Sequence, residues 1–231
     1  MGALNQLIDE VVQANRALPE LGLVTLTWGN VSGCDRSEGL VVIKASGVAY
    51  PDMTAADVVI VDLDGNLVNG GRRPSTDTPT HLALYRAFDE IGGIAHTHST
   101  WATAWAQAER EIPVLGTTHA DLSAHPIPVT RALTNQEVEG DYEGATGAAL
   151  IEALADHGPL QLPGALARGH GPFCWAATPG RAVESAVTLE EVARLALLTT
   201  VLDRDVAPLA AAIRDKHFLR KHGPGAYYGQ P

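Results

Sequence analysis

Two histidines one residue apart, His96 and His98 in Gly93-Ile94-Ala95-His96-Thr97-His98-Ser99, are the residues of this chain best placed to do chemistry. Side chains alternate along a strand, so positions two apart share a face and both imidazoles converge on one small volume. Such a pair is part of a metal-site geometry and asks for further ligands. His170 lies between two glycines in Arg168-Gly169-His170-Gly171-Pro172, where backbone can approach closely. Asp77, in Ser75-Thr76-Asp77-Thr78-Pro79, offers a carboxylate just before a helix. Three imidazoles and one carboxylate suit zinc or a neighbouring divalent ion. Histidines also sit inert and hydrogen-bonded in cores, so the metal reading depends on the other ligands being argued independently.

Three glycine- or proline-punctuated segments share a supply of amide and hydroxyl groups: Trp28-Gly29-Asn30, Lys44-Ala45-Ser46-Gly47 and Arg73-Pro74-Ser75-Thr76-Asp77. Such side chains, with the free amides of tight turns, donate to phosphate oxygens. A turn of Ser and Gly is also often only a turn, and the third segment is the strongest because it adjoins Asp77. Asp121, in Gly116-Thr117-Thr118-His119-Ala120-Asp121, is either a general acid or base or a solvated surface carboxylate. Tyr227-Tyr228 near the end offers a phenol as proton donor, here or on a neighbouring subunit, or a packed hydrophobic anchor.

The elements that must hold these groups follow from periodicity and punctuation. Apolar spacing predicts a first helix over 4–18, ended by Pro19 and Gly22, then a strand over 23–28 broken by Gly29 to Gly33. Strands are predicted at 40–44 and 58–63, the second closed by the Asp64-Gly65-Asn66 turn. Thr78-Pro79 reads as a helix start running to about Phe88, and 94–98 as the strand of the histidine pair. Ser99 caps a helix whose Trp101 and Trp105, four apart, form a packing stripe. Helices are expected over 144–157, 179–202 and 206–222, with one strand over 164–175 carrying His170. The mixture has no regular βαβ alternation, internal repeat, Rossmann glycine pattern or P-loop, so a nucleotide cofactor is not indicated.

At 231 residues with 45% hydrophobic and 19% charged composition, the chain reads as one folded domain over 1–231 with a sizeable core. Its formal charge of −11 repels polyanions, so nucleic acid is not expected as a partner; a small phosphorylated molecule remains compatible through local amides. Two cysteines without a Cys-x-x-Cys pair fit a reducing cytoplasm. No stretch has the apolar length needed to span a bilayer.

Six ordered motifs carry a resemblance: Thr25 to Ser32, Ser75 to His81, His96 to Ser99, Gly116 to Asp121, Arg168 to Phe173, and Asp215-Lys216-His217 through Tyr227-Tyr228-Gly229-Gln230. Together they are similar to those of the L-ribulose-5-phosphate 4-epimerases, within the wider class II aldolase superfamily. The resemblance implies an α/β, single-domain, three-layer fold with a central, mostly antiparallel sheet flanked by helices. It implies one divalent ion per subunit, zinc first, held by Asp77, His96, His98 and His170. Gly29, Asn30, Ser46, Gly47, Ser75 and Thr76 would hold the substrate, chiefly its phosphate, with Lys44 beside them. Asp121 and Tyr228 match an acid–base pair, Tyr228 reaching in from an adjacent subunit of a homotetramer whose active sites lie at interfaces. Glu143 and His217 match further polar residues.

The implied reaction is epimerisation at C4 of a pentulose phosphate by retro-aldol cleavage and re-addition, as in arabinose breakdown. Aldolases of the superfamily that act on ketose 1-phosphates usually carry glutamate where this chain has Asp77, which favours the epimerase. Thr76 replaces a serine common in the family, keeping a hydroxyl and adding a methyl. Adducin-like scaffolds use a similar fold for protein interactions, but have no need of the histidine set.

Overall fold

Alternation along one central strand separates two helical layers. A computed structural model describes residues 2–155 and 157–227 and places strand β1 at Asn30–Asp35. On one face of β1, a Cβ at Gly33 would meet Leu7 Cδ1 at 2.6 Å, Pro179 Cγ at 2.8 Å and Val11 Cγ2 at 3.0 Å. Helices α1 (Ala3–Glu20) and α7 (Pro179–Leu202) therefore cover that face, and only glycine admits them so closely. On the other face Ser32 Oγ lies 2.7 Å from His81 Nδ1 and 2.8 Å from Tyr85 Oη, both on α2 (Thr78–Ala87). Helix α6 (Tyr142–Leu154) packs against α2, where a Cβ at Gly147 would lie 2.6 Å from Ala83 Cβ. The result is helix, sheet and helix in three layers.

The sheet has seven strands in the order β4-β3-β2-β1-β5-β7-β6, and every neighbouring pair is antiparallel. The remaining strands are β2 (Leu40–Lys44), β3 (Val58–Asp62), β4 (Leu67–Asn69), β5 (Gly93–His96), β6 (Gly164–Ala167) and β7 (Gly171–Ala176). Helix α3 is Thr100–Gln107, tied to α7 by the Trp105 indole N–H donating to Ala193 O. The apolar interior is continuous from Val11 and Leu18 through Val41, Ile94 and Phe173 to Ala193. The expected mostly antiparallel sheet flanked by helices is what forms.

Several boundaries move. The expected strand at 23–28 is an irregular segment with Leu26 at φ 55° and Gly29 at φ 93°, and the glycine-punctuated stretch after it is the strand itself. Asn15 explains part of this: its side chain pairs with both the N–H (2.8 Å) and the C=O (2.9 Å) of Val31, fixing the start of β1 to α1. The strand expected over 164–175 is a hairpin of β6 and β7, because Gly169 at φ 68° turns the chain at Arg168–His170. The last helix, α8, starts at Ala211 rather than 206. Two short helices, α4 (Thr117–Leu122) and α5 (Asn135–Glu139), stand where no helix is expected.

Candidate metal centre

His96 ends β5, and register places it opposite Asn30 on β1 and Phe173 on β7. Paired residues share a face, so Asn30, His96 and Phe173 form one row on the α2 side of the sheet. Phe173 lies flat against the His96 ring at a centroid distance of 4.0 Å and fixes its plane. The His96 Nδ1–H donates to Pro172 O at 3.0 Å, which leaves Nε2 with its lone pair toward the site. His98 lies just beyond the strand rather than within it, yet its ring is 5.0 Å from that of His96. His170 arrives from the β6–β7 turn, 4.8 Å and 4.9 Å from the His96 and His98 rings.

The donor set fits a divalent metal ion. His98 Nε2 and His170 Nε2 are 3.1 Å apart. Two nitrogens bound to zinc at about 2.05 Å with tetrahedral angles lie about 3.3 Å apart, so the pair is already near coordination spacing. Ligand nitrogens of all three histidines fall within 4.8 Å of one another. Burial keeps His96 neutral, more strongly than Asp77 favours its cation. Burial likewise lowers His98 and His170. Neutral imidazoles are the ligating form. Asp77 Oδ2 stands 4.0 Å from His96 Nε2. Burial opposes its ionisation, but the charge of His96, His81 and His170 where acid protonates them, together with the Asn30 amide hydrogen bond, holds the carboxyl below its ordinary range.

The polar turns expected around the metal converge on the same place. Asn30 Nδ2–H donates to Asp77 Oδ2 at 2.6 Å and to Ser75 Oγ at 3.0 Å. The Ser46 amide donates to Arg73 O and the Ser75 amide to Lys44 O, each at 3.0 Å, so the second and third segments are zipped together. Gly47 has φ 71°, and a Cβ there would meet nothing within 4 Å. Ser46, Gly47 and Thr76 are exposed beside this seam, open to a ligand. Asn30 Oδ1 is buried without a partner among the described residues, an acceptor waiting for a donor. The approach at Gly29 is obligatory: a Cβ would lie 2.7 Å from His96 O. Lys44 is buried beneath the seam, and desolvation lowers its ammonium to about 8 despite the opposing pull of Asp77.

Asp121 is elsewhere. Its Oδ2 takes Arg220 Nη2–H at 2.6 Å, its Oδ1 lies 3.0 Å from His217 Nδ1, and Lys221 Nζ is 3.9 Å from Oδ2. All three partners lie on α8, and none is a ligand histidine. Burial opposes ionisation of Asp121, but the hydrogen bonds from Arg220 and His217 and the charge of Lys221 hold it below the ordinary carboxylate range. Within one chain, the described contacts therefore join Asp121 to the C-terminal helix and not to the imidazoles. Tyr228 lies outside the described residues. Glu143 stands in the first turn of α6, its carbonyl accepting from Thr80 Oγ1 at 2.7 Å.

Three residues of the neighbourhood have no role assigned from the sequence, although Trp28 and Phe173 lie within its motifs. Phe173 backs His96, Trp28 places a half-exposed indole 6.3 Å from the His98 ring, and Tyr142 puts its hydroxyl 3.5 Å from His170 Nδ1. Trp28 stood in the predicted strand and Tyr142 just ahead of the predicted helix over 144–157; the signal that marks both is adjacency to Gly29-Asn30 and to Glu143.

Comparison with known proteins gives the family and the fold. The family model for the class II aldolase and adducin N-terminal domain matches residues 9–197. Curated proteins named L-ribulose-5-phosphate 4-epimerase UlaF, from Salmonella paratyphi C and Salmonella choleraesuis, are 53% identical over 98% of this chain and 100% of their own length. Among solved structures, an L-fuculose 1-phosphate aldolase superposes with a TM-score of 0.81 at 23% identity, covering 95% of this chain and 97% of its own. YgbL of Klebsiella pneumoniae, described as a putative aldolase/epimerase/decarboxylase, gives 0.74 at 24% identity over 92% of this chain and 97% of its own. The structural likenesses bear on the fold, and the sequence relatives on the family: the chain belongs to the class II aldolase and adducin N-terminal domain family.

Proposed function

We propose that the chain is a metal-dependent epimerase that interconverts L-ribulose 5-phosphate and D-xylulose 5-phosphate. It works as one domain per subunit, with one divalent ion, zinc first, in a cytoplasmic homotetramer with active sites at subunit interfaces. Arabinose breakdown and ascorbate breakdown both have use for such an activity. The observation that carries the proposal is the meeting of three neutral imidazoles and Asp77 with the zipped turns at Lys44–Gly47 and Arg73–Asp77. Identity of 53% to proteins named for this activity supports the choice of substrate. No helix among the described residues is long and apolar enough to cross a membrane.

Inverting C4 by direct deprotonation of an unactivated carbinol is prohibitive. The C4 hydroxyl is β to the C2 ketone, so cleavage between C3 and C4 opens a lower route. A divalent cation among the imidazoles supplies Lewis-acid stabilisation for the charge left on the C1–C3 fragment. Gly29, Asn30, Ser46, Gly47, Ser75 and Thr76 hold the phosphate, which stays on the departing two-carbon aldehyde. Anchored there, the aldehyde turns its other face to the same carbon nucleophile. One proton leaves the C4 oxygen on cleavage and one returns to it on re-addition, on opposite faces. Asp121, ionised in its cationic clamp, and Tyr228 divide these transfers.

Metal analysis coupled to the two-way pentulose phosphate assay tests the proposal. One ion per subunit with interconversion is expected; metal-loaded protein without interconversion overturns it. Aldehyde released from a ketose 1-phosphate, trapped by a coupled reductase, identifies an aldolase instead.

A further inference from the structure

A histidine that ligates through one nitrogen needs a partner for the other, because the proton held there keeps the ligating lone pair free. His96 has Pro172 O for this purpose. His170 Nε2 faces His98 Nε2 at 3.1 Å, so the ligating position is Nε2 and the proton belongs on Nδ1. The side-chain group facing that Nδ1 is the hydroxyl of Tyr142, at 3.5 Å, with its ring inclined 27° to the imidazole at a centroid distance of 6.4 Å.

The position of Tyr142 is built, not incidental. It is the first residue of α6, whose start is joined to α2 by the Thr80 hydroxyl on Glu143 O at 2.7 Å. Helix α2 begins immediately after Asp77. The carboxylate and the phenol are thus carried on the starts of two helices packed without a gap at Gly147. Tyr142 and His170 both line a cleft of about 270 Å³ with Thr130 and Arg168, so water also has access to the Nδ1 edge. Without a fixed acceptor, the exposed turn that carries His170 leaves the ring free to rotate about its side-chain bonds.

We propose that Tyr142 is a positioning residue of the metal centre: its hydroxyl accepts the Nδ1–H of His170, selecting the tautomer and ring orientation in which Nε2 ligates. This inference rests on the metal-site part of the proposed function and on no property of the substrate.

The test is zinc affinity of the intact protein, read by competition with a chromophoric chelator. Partners of ligating histidines are worth about 10- to 100-fold in affinity, so Tyr142→Phe, which keeps the ring, is expected to raise the zinc dissociation constant by that factor. Thr146→Val, which removes the hydroxyl that donates to Tyr142 O at 2.8 Å but leaves the Tyr142 phenol in place, is expected to leave it unchanged. A rise of less than about fivefold in Tyr142→Phe, or an equal rise in Thr146→Val, overturns the proposal. A second reading needs no variant: nitrogen-15 shifts of His170 in the zinc-loaded wild type are expected to show Nδ1 protonated, and an unprotonated Nδ1 overturns it. Wild type that binds no zinc overturns this inference and the metal-site reading together. Wild type that binds zinc but does not epimerise overturns only the proposed substrate chemistry.

Discussion

The imidazole cluster and the Asp121 clamp are built from opposite materials. The cluster rests on the middle of the sheet: His96 is buried, held by a backbone carbonyl and stacked on Phe173, with its row set by strand register. The clamp rests on charge: Asp121, on the short α4, is held by Arg220, His217 and Lys221 of α8, a helix with no buried residue. Packing holds His96 closely, because close-packed interiors deform little, while His98 and His170 reach it from the exposed end of the strand and an exposed turn. Ion pairs at partly exposed sites hold more loosely and weaken with salt. The proposed retro-aldol chemistry would use both, a seat for the fragment that stays and an adjustable proton carrier for the oxygen that changes face.

Removing a ligand strikes the rigid half hardest. His98→Ala is expected to abolish stoichiometric metal and lower kcat/KM by about a thousandfold, since Lewis-acid stabilisation is worth several kcal/mol. Inductively coupled plasma metal analysis beside the assay checks it, and retained metal would show that His98 is not a ligand. Asp121→Asn is expected to keep the metal while losing about a hundredfold or more in kcat, within the usual range for a general acid or base. Unchanged turnover would remove Asp121 from the reaction and leave the clamp as a structural joint.

A smaller effect compares the halves through stability. Burial depresses His81, behind the metal row, and His119, on α4 beside Asp121, each to about 4 from 6.5. Both stay neutral in the folded chain between those limits while the unfolded chain takes up protons. Stability is therefore full above pH 6.5 and falls as pH drops toward 4, by about 2 kcal/mol per histidine at pH 5. Urea midpoints of metal-free protein at pH 7 and pH 5 measure the slope, and His81→Gln and His119→Gln should each flatten it by a similar amount. The least effect concerns the rim. Leu26 is 75% exposed at φ 55°, so Leu26→Gly relieves left-handed strain for a net gain under about 1 kcal/mol, read from the urea midpoint.

Much of the centre was legible because its residues announce themselves. His-x-His at a strand end, a glycine-flanked histidine and a carboxylate before Pro79 each have a local cause, and the structure gathers the three histidines into one group with Asp77 4.0 Å from His96. The polar turns were legible as turns; that Lys44–Gly47 and Arg73–Asp77 are zipped was not, since their pairing spans almost thirty residues and forms just past the end of β2. The strand at Asn30–Asp35 was missed because Gly29 and Gly33 look like breakers. Each is instead a place where another element must approach, which periodicity along one strand does not report. Helix α4 was missed because six residues carry too little pattern, and its partner α8 lies far along the chain.

The row Asn30, His96 and Phe173 has a bearing on how such a chain tolerates change in length. One residue inserted in β5 would turn His96 to the α7 face and carry the ligand out of reach, with no neighbouring adjustment to restore it. The same insertion at β4, whose three residues are all exposed at the sheet edge, displaces none of the row and none of the three histidines. Lineages of this protein are therefore expected to hold β1, β5 and β7 at constant length and to accumulate their insertions and deletions at the β3–β4 hairpin and in the 203–210 connection. The sheet acts as a fixed ruler, and the freedom to diverge is greatest where its marks end.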